Sequence, residues 1–305
     1  MKLSILLSLI CFGAFAQEKN YVTTLVSIDQ EIQGTLLSPK KQNNTPLAIL
    51  IAGSGPTDRD GNQAHLKNNS LKYLAEGLTE KEITVFRYDK RIIAQMNKGT
   101  VQEDKVTFED GVNDALLVVN YFKKKYKNII IIGHSEGALI GILVAQKTPI
   151  SKLISLSGAG SNSATLIEEQ IKKNAPQLKE EAQRVLNLLK KGEQVDNISP
   201  YLAPVFRKSV QPYLISWFKY NPTKEIAKMK IPVFIIQGTN DLQVEKEEAQ
   251  LLKEAQPKAQ LLFVEGMNHI LKEVKTIEEN QQSYLNPDIP ISPKLIEAIA
   301  QFIKN

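Results

Sequence analysis

The stretch IIGHSEGALIG, residues 131–141, decides the fold. Residues 129–132 are four isoleucines, and the run ALIGILVA begins at Ala138. Between them Gly133 and Gly137 stand two places before and two places after Ser135. An ordinary strand-to-helix turn needs one glycine and one capping residue. Glycines on both sides fit a backbone so tight that neighbouring side chains must be absent. In a G-x-S-x-G turn the serine sits on a strained corner at the carboxyl end of a strand, hydroxyl outward. The helix that follows points its free N–H groups and positive dipole end at the same spot.

Working outward, the chain alternates apolar strands with amphipathic helices. Residues 21–28 and 31–37 are β-rich and join at Asp29 and Gln30, which predicts an antiparallel hairpin. Strands are predicted at 46–52, 83–87, 128–132, 153–157, 232–237 and 260–264. Helices are predicted to include 71–78, 136–146, 245–255 and 293–303. Thr107 and Asp110 have the spacing of a capping box, opening a helix to about Lys124. Continuous apolar strands between helices predict an α/β fold with a parallel sheet covered on both faces. The alternation stops over 161–228, a helical, Gln- and Lys-rich stretch. It reads as an insertion whose aromatics, among them Tyr213 and Trp217, either pack internally or line a pocket.

With 305 residues, 42% hydrophobic and 23% charged, the chain can bury a sizeable core. The net charge of +5 is spread, and the lysines at 123–127 fall where a helix should end. No aromatic-plus-basic pattern points to a nucleic acid. Lys2, the apolar residues 3–12 and Ala14-Phe15-Ala16 form a leader with a cleavage site. Residues 1–16 are therefore expected to be removed, giving a periplasmic or secreted protein without a membrane span. The only cysteine, Cys11, leaves with the leader.

A serine hydroxyl needs a base to take its proton. The chain has three histidines. His134 adjoins Ser135 in the turn and points away from it. His65 precedes the first helix of the sheet region. His269, in FVEGMNHI, follows the last strand. Parallel strands end at one edge, so His269 should arrive beside Ser135. The imidazole needs an acid partner. Asp241, in GTND after the strand at 232–237, reaches the same edge, whereas Asp196 lies in the insertion and Asp288 in the tail. The order Ser135, Asp241, His269 suits this sheet. Two amides, of Glu136 and of Ser54 in the loop GSGPTDRDGN, are the expected donors to an oxyanion. No cluster of histidine and cysteine has the spacing of a metal site.

These motifs together (GSGPTDRDGN, GHSEG, GTND and GMNH) resemble the serine-nucleophile branch of the α/β-hydrolase superfamily. They are most similar to bacterial exported esterases and serine aminopeptidase-like hydrolases. The resemblance covers roughly residues 21–305. It implies a mostly parallel eight-stranded sheet, a core of 17–160 and 229–305, a helical lid at 161–228, no cofactor, and ester hydrolysis. One departure stands out. Many relatives follow the fourth strand with D-x-R-G-x-G-x-S, but here the stretch is Arg87-Tyr88-Asp89-Lys90-Arg91-Ile92-Ile93, without glycine. A framing loop of altered shape is expected at 88–100.

Three readings follow: an exported carboxylesterase, an aminopeptidase or amidase using the same triad, or an inactive hydrolase fold that binds without turnover. The substrate is a small-molecule ester or a peptide. An aminopeptidase needs an anion for the substrate ammonium, and Glu136, Asp58 and Asp60 are the candidates by position. Arg59 either ties the local loop together or reaches a substrate carboxylate. The Glu136 side chain either caps its helix, meets Arg59, or meets the substrate.

Overall fold

The computed structural model describes residues 19–41 and 45–305; the predicted leader lies outside them. The chain opens with β1 (Tyr21–Ser27), β2 (Gln33–Pro39) and β3 (Leu47–Ile51), then α1 (Ser70–Glu80) and β4 (Thr84–Tyr88). It continues through α2 (Arg91–Lys98), α3 (Phe108–Phe122), β5 (Ile129–His134), α4 (Glu136–Lys147) and β6 (Lys152–Leu156). Five helices follow without a strand: α5 (Ser163–Asn174), α6 (Lys179–Lys190), α7 (Ala203–Phe206), α8 (Gln211–Trp217) and α9 (Pro222–Ile226). Then come β7 (Val233–Gly238), α10 (Lys246–Ala255), β8 (Gln260–Val264), α11 (Ile277–Ser283) and α12 (Pro293–Lys304).

The eight strands form one sheet in the order β1-β2-β4-β3-β5-β6-β7-β8. β1 and β2 are antiparallel to their neighbours, and β3 to β8 run parallel. Successive strand residues point to opposite faces. Leu47, Ile49 and Ile51 pack with α3 and α4, whereas Ala48 and Leu50 pack with α1 and α12. Both faces are covered, which is why these strands read as unbroken apolar runs. The helices after β6 carry a smaller core of their own, built on Val185, Leu186, Leu189, Phe206 and Leu214.

Two local expectations change. The first hairpin closes over a longer turn than Asp29-Gln30. The Asp29 carboxylate accepts from the amides of Glu31 (2.8 Å) and Ile32 (2.6 Å), and pairing resumes only at Gln33. The glycine-free stretch after β4 is not an open loop but the helix α2. Its residues are good helix formers, and Gly99 ends it in the left-handed conformation at φ 66°. Arg91 at its start binds Asp114 (2.7 Å), Glu31 (2.8 Å) and Asp29 (3.0 Å), so α2 is anchored to both α3 and the hairpin.

The turn between β5 and α4 is set by backbone contact. A Cβ on Gly137 would overlap the carbonyl of Ile51 and lie 2.7 Å from that of Ala52. A Cβ on Gly133 would overlap the carbonyl of Gly137 and lie 2.6 Å from Ala138 Cα. Gly137→Ala is therefore expected to lower the unfolding free energy by about 2–3 kcal/mol, read as the midpoint shift of a urea transition. An unchanged midpoint would mean that the helix can back away from β3.

Candidate active site

Ser135 occupies this turn at φ 56°, ψ −121°, a conformation a serine holds only when its surroundings impose it. Its amide donates to the Leu156 carbonyl (2.9 Å) on the neighbouring strand, and its carbonyl accepts from the Ala138 amide (2.9 Å). The turn is thus pinned from both sides. Glu136 is the first residue of α4, where a helix has no internal partner for its amide. Gly53, two residues past β3, comes so close that a Cβ there would lie 3.1 Å from Ser135 Cβ.

His269 and Asp241 arrive from the loops after β8 and β7. His269 Nδ1 lies 2.8 Å from Asp241 Oδ2, and both residues are buried. A carboxylate only accepts, so Nδ1 carries a proton, which leaves Nε2 as the ring nitrogen that can exchange one. Asp241 is held on every side. Its Oδ1 accepts from the amides of Gln243 and Val244 (2.9 Å each), and Oδ2 also accepts from Gln237 Nε2 (2.9 Å). Burial opposes its charge, but the His269 ring and the two amides hold its pKa below the ordinary carboxylate value. Ser135 and His269 line one cavity of about 240 Å³, with Ser54, Gln243 and Tyr284. Among the described residues Ser135 Oγ has no hydrogen-bond partner, so the row is joined at His269–Asp241 and open at Ser135–His269. Such links are often long before substrate binds.

His134 turns away from Ser135. Its Nε2–H donates to the His269 carbonyl (2.7 Å), and the two rings sit 4.9 Å apart. Burial, reinforced by the neighbouring His269, pushes its pKa down to about 4. A neutral His134 therefore buckles the end of β5 to the loop that carries His269. Behind that loop, Lys272 is fully buried and donates to the carbonyls of Ser283 (3.2 Å) and Asn286 (2.6 Å). Asn268 bridges it to Ser283 and Asn280. His65 is exposed on a surface loop, and the exposed Asp196 pairs with Lys208, also on the surface.

Ser54 heads the loop after β3. Its carbonyl accepts from Thr57 Oγ1 and Gln63 Nε2 (3.0 Å each), which fixes the peptide planes around it. Asp58 accepts from the amides of Asp60 and Asn62 (2.8 Å each), and Asp60 pairs with Arg87 (2.9 Å). Arg59 donates from Nε and Nη2 to the Asp89 carboxylate and from Nη1 to Thr35 Oγ1 (3.2 Å). It lines neither the cavity at Ser135 nor the larger one beside it. The loop is fastened to β4 and the residue that follows it.

No family model matches the chain. Over 254 residues it is 24% identical to Esterase EstD of Thermotoga maritima, a match covering 79% of this chain and 58% of that protein. The chain thus spans little more than half the length of that relative. Among solved structures it is similar to Est1E from Butyrivibrio proteoclasticus, at TM-score 0.59 and 21% identity, covering 92% of this chain and 97% of that one. Proline iminopeptidase of Mycobacterium smegmatis aligns at TM-score 0.56 and 15% identity, over 93% and 98% of the two chains. The chain has the α/β-hydrolase fold.

On this α/β-hydrolase scaffold the side chain of Glu136 meets neither Arg59 nor the cavity at Ser135. It is 1% exposed and accepts from Lys90 Nζ (2.9 Å) on one oxygen and from the Tyr213 hydroxyl on the other. It faces a second, larger cavity of about 430 Å³ between the loop after β3, α2, α3 and α8. Lys90, Asp89, Gln237 and Lys272 were not singled out by the motifs. Asp89 and Lys90 stand in the stretch that departs from the glycine-rich pattern, but nothing in the sequence marks their partners. Among the described residues no three histidine, cysteine, aspartate or glutamate side chains are grouped as a metal would require.

The His134 environment gives a pH signature. The unfolded chain protonates this residue near pH 6.5, the folded one only near pH 4. Native stability is therefore expected to fall as pH drops through that window, and His134→Gln should flatten the slope. Urea midpoints measured against pH for both proteins check this; parallel curves would contradict a neutral buried His134.

Proposed function

We propose that the chain is an exported serine hydrolase that cleaves carboxylic esters. The observation that carries this reading is the His269 Nδ1–Asp241 Oδ2 link, set in the same cavity as a serine held at a strained turn. Ser135 Oγ attacks the ester carbonyl and passes its proton to His269 Nε2. Asp241 keeps the ring in the right tautomer and stabilises its charged form. The amides of Ser54 and Glu136 donate to the oxygen that becomes negative. His269 then protonates the departing alkoxide, leaving an acyl group on Ser135. Water attacks that acyl group with His269 again as base, releasing the acid and restoring the serine. A rotation of Ser135 or His269 closes the open link when substrate enters.

The helical segment 161–228 acts as a lid in this reading, since its Tyr213 touches the residue beside the nucleophile. The leader at 1–16 supports export, and mass spectrometry of the exported chain should find Gln17 first. The aminopeptidase reading meets an obstacle. Of the three anions suspected by position, Asp58 and Asp60 line neither cavity, and Glu136 is already taken by Lys90 and Tyr213.

Ser135→Ala is expected to lower kcat on p-nitrophenyl butyrate by about 10⁴-fold or more, and Asp241→Asn by about 10⁴-fold through the wrong tautomer. A fluorophosphonate probe should label the wild type at Ser135 and leave Ser135→Ala untouched. Ordinary turnover by Ser135→Ala would end this assignment.

A further inference from the structure

The Glu136–Lys90 pair carries an inference about which substrates enter. We propose that the larger cavity is the acyl chamber, that it takes uncharged apolar acyl groups, and that Lys90 sets this choice by neutralising Glu136. The proposal rests on the ester-hydrolase reading above and names the substrate class for the same site.

The assignment of the chamber follows from where the proton must go. The leaving oxygen has to reach His269 Nε2, so the alcohol lies in the smaller cavity with His269, Gln243 and Tyr284. The carbonyl carbon sits at Ser135, and the acyl group extends away from His269. The two cavities meet at the nucleophile turn, Ser135 lining the smaller and Glu136 the larger, and they share the loop after β3, which gives Gly53, Ser54 and Thr57 to the smaller and Ala52, Gly55 and Pro56 to the larger. An acyl group passing between the two oxyanion amides therefore enters the larger cavity. Its volume of about 430 Å³ is ample for a phenylpropanoyl group, and ligand pockets start near ~300 Å³. Ile51, Pro56, Tyr88, Phe108 and Ile140 give it apolar walls.

Charge then decides what fits. The lining carries four cationic and four acidic side chains, so its formal charge sums to zero. Arg91 is held by Asp29, Glu31 and Asp114, Arg207 by Glu103, and Asp110, farther from the nucleophile turn in sequence, accepts from the amide and hydroxyl of Thr107. At the end nearest the nucleophile stands Glu136, whose two oxygens are taken by Lys90 and Tyr213. A substrate ammonium entering there would lose its water and find the carboxylate already bound to a cation. An acyl group without charge loses nothing by entering. Removing the charge of Lys90 leaves Glu136 with one neutral donor, and an ammonium can then take the place of Nζ.

Binding can be measured without turnover in Ser135→Ala. Titration calorimetry would compare methyl 3-phenylpropanoate with L-phenylalanine methyl ester, below neutral pH where the amine is charged. Ser135→Ala should bind the uncharged ester at least about tenfold more tightly. In Ser135→Ala/Lys90→Met that preference should shrink by at least about tenfold. Lys90→Gln, which keeps a donor to Glu136, gives the same comparison if the methionine variant does not fold. Val210→Trp, which fills the chamber from α8's side, should weaken the uncharged ester by a similar factor. An unchanged preference without Lys90, or no binding of the uncharged ester, overturns the proposal. Fluorophosphonate labelling of the wild type reports separately on the catalytic row. Binding as described without labelling would sink the hydrolase reading and leave the charge selection standing.

Discussion

Backbone touching backbone at the Ser135 turn is the constraint on which the rest of this structure depends. Three segments meet there without side chains between them: the end of β3, the end of β5 and the first turn of α4. Gly137 lies against the carbonyls of Ile51 and Ala52, Gly133 of β5 against the first turn of α4, and Gly53 against Ser135. That approach leaves Ser135 at positive φ, at a cost of order 1–3 kcal/mol. The cost is offset because α4 is buried on every side from Ala138 to Val144, between the sheet and α3. Position and chemistry share one cause. The contact that seats the helix also puts its free amide end and the loop after β3 on opposite sides of the same hydroxyl.

A second close approach does comparable work at the other loops. A Cβ on Gly238, the last residue of β7, would overlap the carbonyl of Met267. The loop that carries Asp241 thus lies directly on the loop that carries His269, and the Asn240 amide donates to that same Met267 carbonyl (3.0 Å). The parallel sheet brings both loops to one edge. These backbone contacts then set their spacing to within hydrogen-bond reach. Beneath them, Asn268, Lys272, Asn280 and Ser283 exchange hydrogen bonds in a buried network. A buried lysine with only carbonyl partners has its pKa pushed down to about 8 by burial. It is tolerated because it donates to carbonyls at the end of α11 and in the turn that follows.

The sheet was legible because both faces are covered, which makes each parallel strand a continuous apolar word. The positions of Ser135, Asp241 and His269 were legible because strand direction alone sends their loops to one edge. Pairings between distant charges were not. Arg59 finds Asp89 thirty positions away, Lys90 finds Glu136 forty-six away, and Tyr213 finds Glu136 seventy-seven away. Nothing periodic in a sequence encodes such partners. α2 was hidden for a different reason: comparison with a glycine-rich pattern suggested a loop, while the residues present are helix formers. α11 lacks an apolar stripe, carrying Glu278, Glu279, Asn280, Gln281 and Gln282 in a row, so period gives no signal.

The Lys90–Glu136 pair also bears on the chemical step. In the proposed reaction the Glu136 amide faces an oxygen gaining negative charge, and the carboxylate of that same residue is only a side chain's length away. Left alone, that carboxylate would repel the charge its own amide stabilises. Buried surroundings would magnify the conflict, since charges interact more strongly where water is excluded. Lys90 cancels the carboxylate, and Tyr213 adds a donor that spreads its charge further. The amide and the dipole end of α4 are then unopposed at the reacting oxygen. A charged glutamate at this place is thus reconciled with ester chemistry by the cation on it, and the stretch after β4 that departs from the glycine-rich pattern is what supplies one.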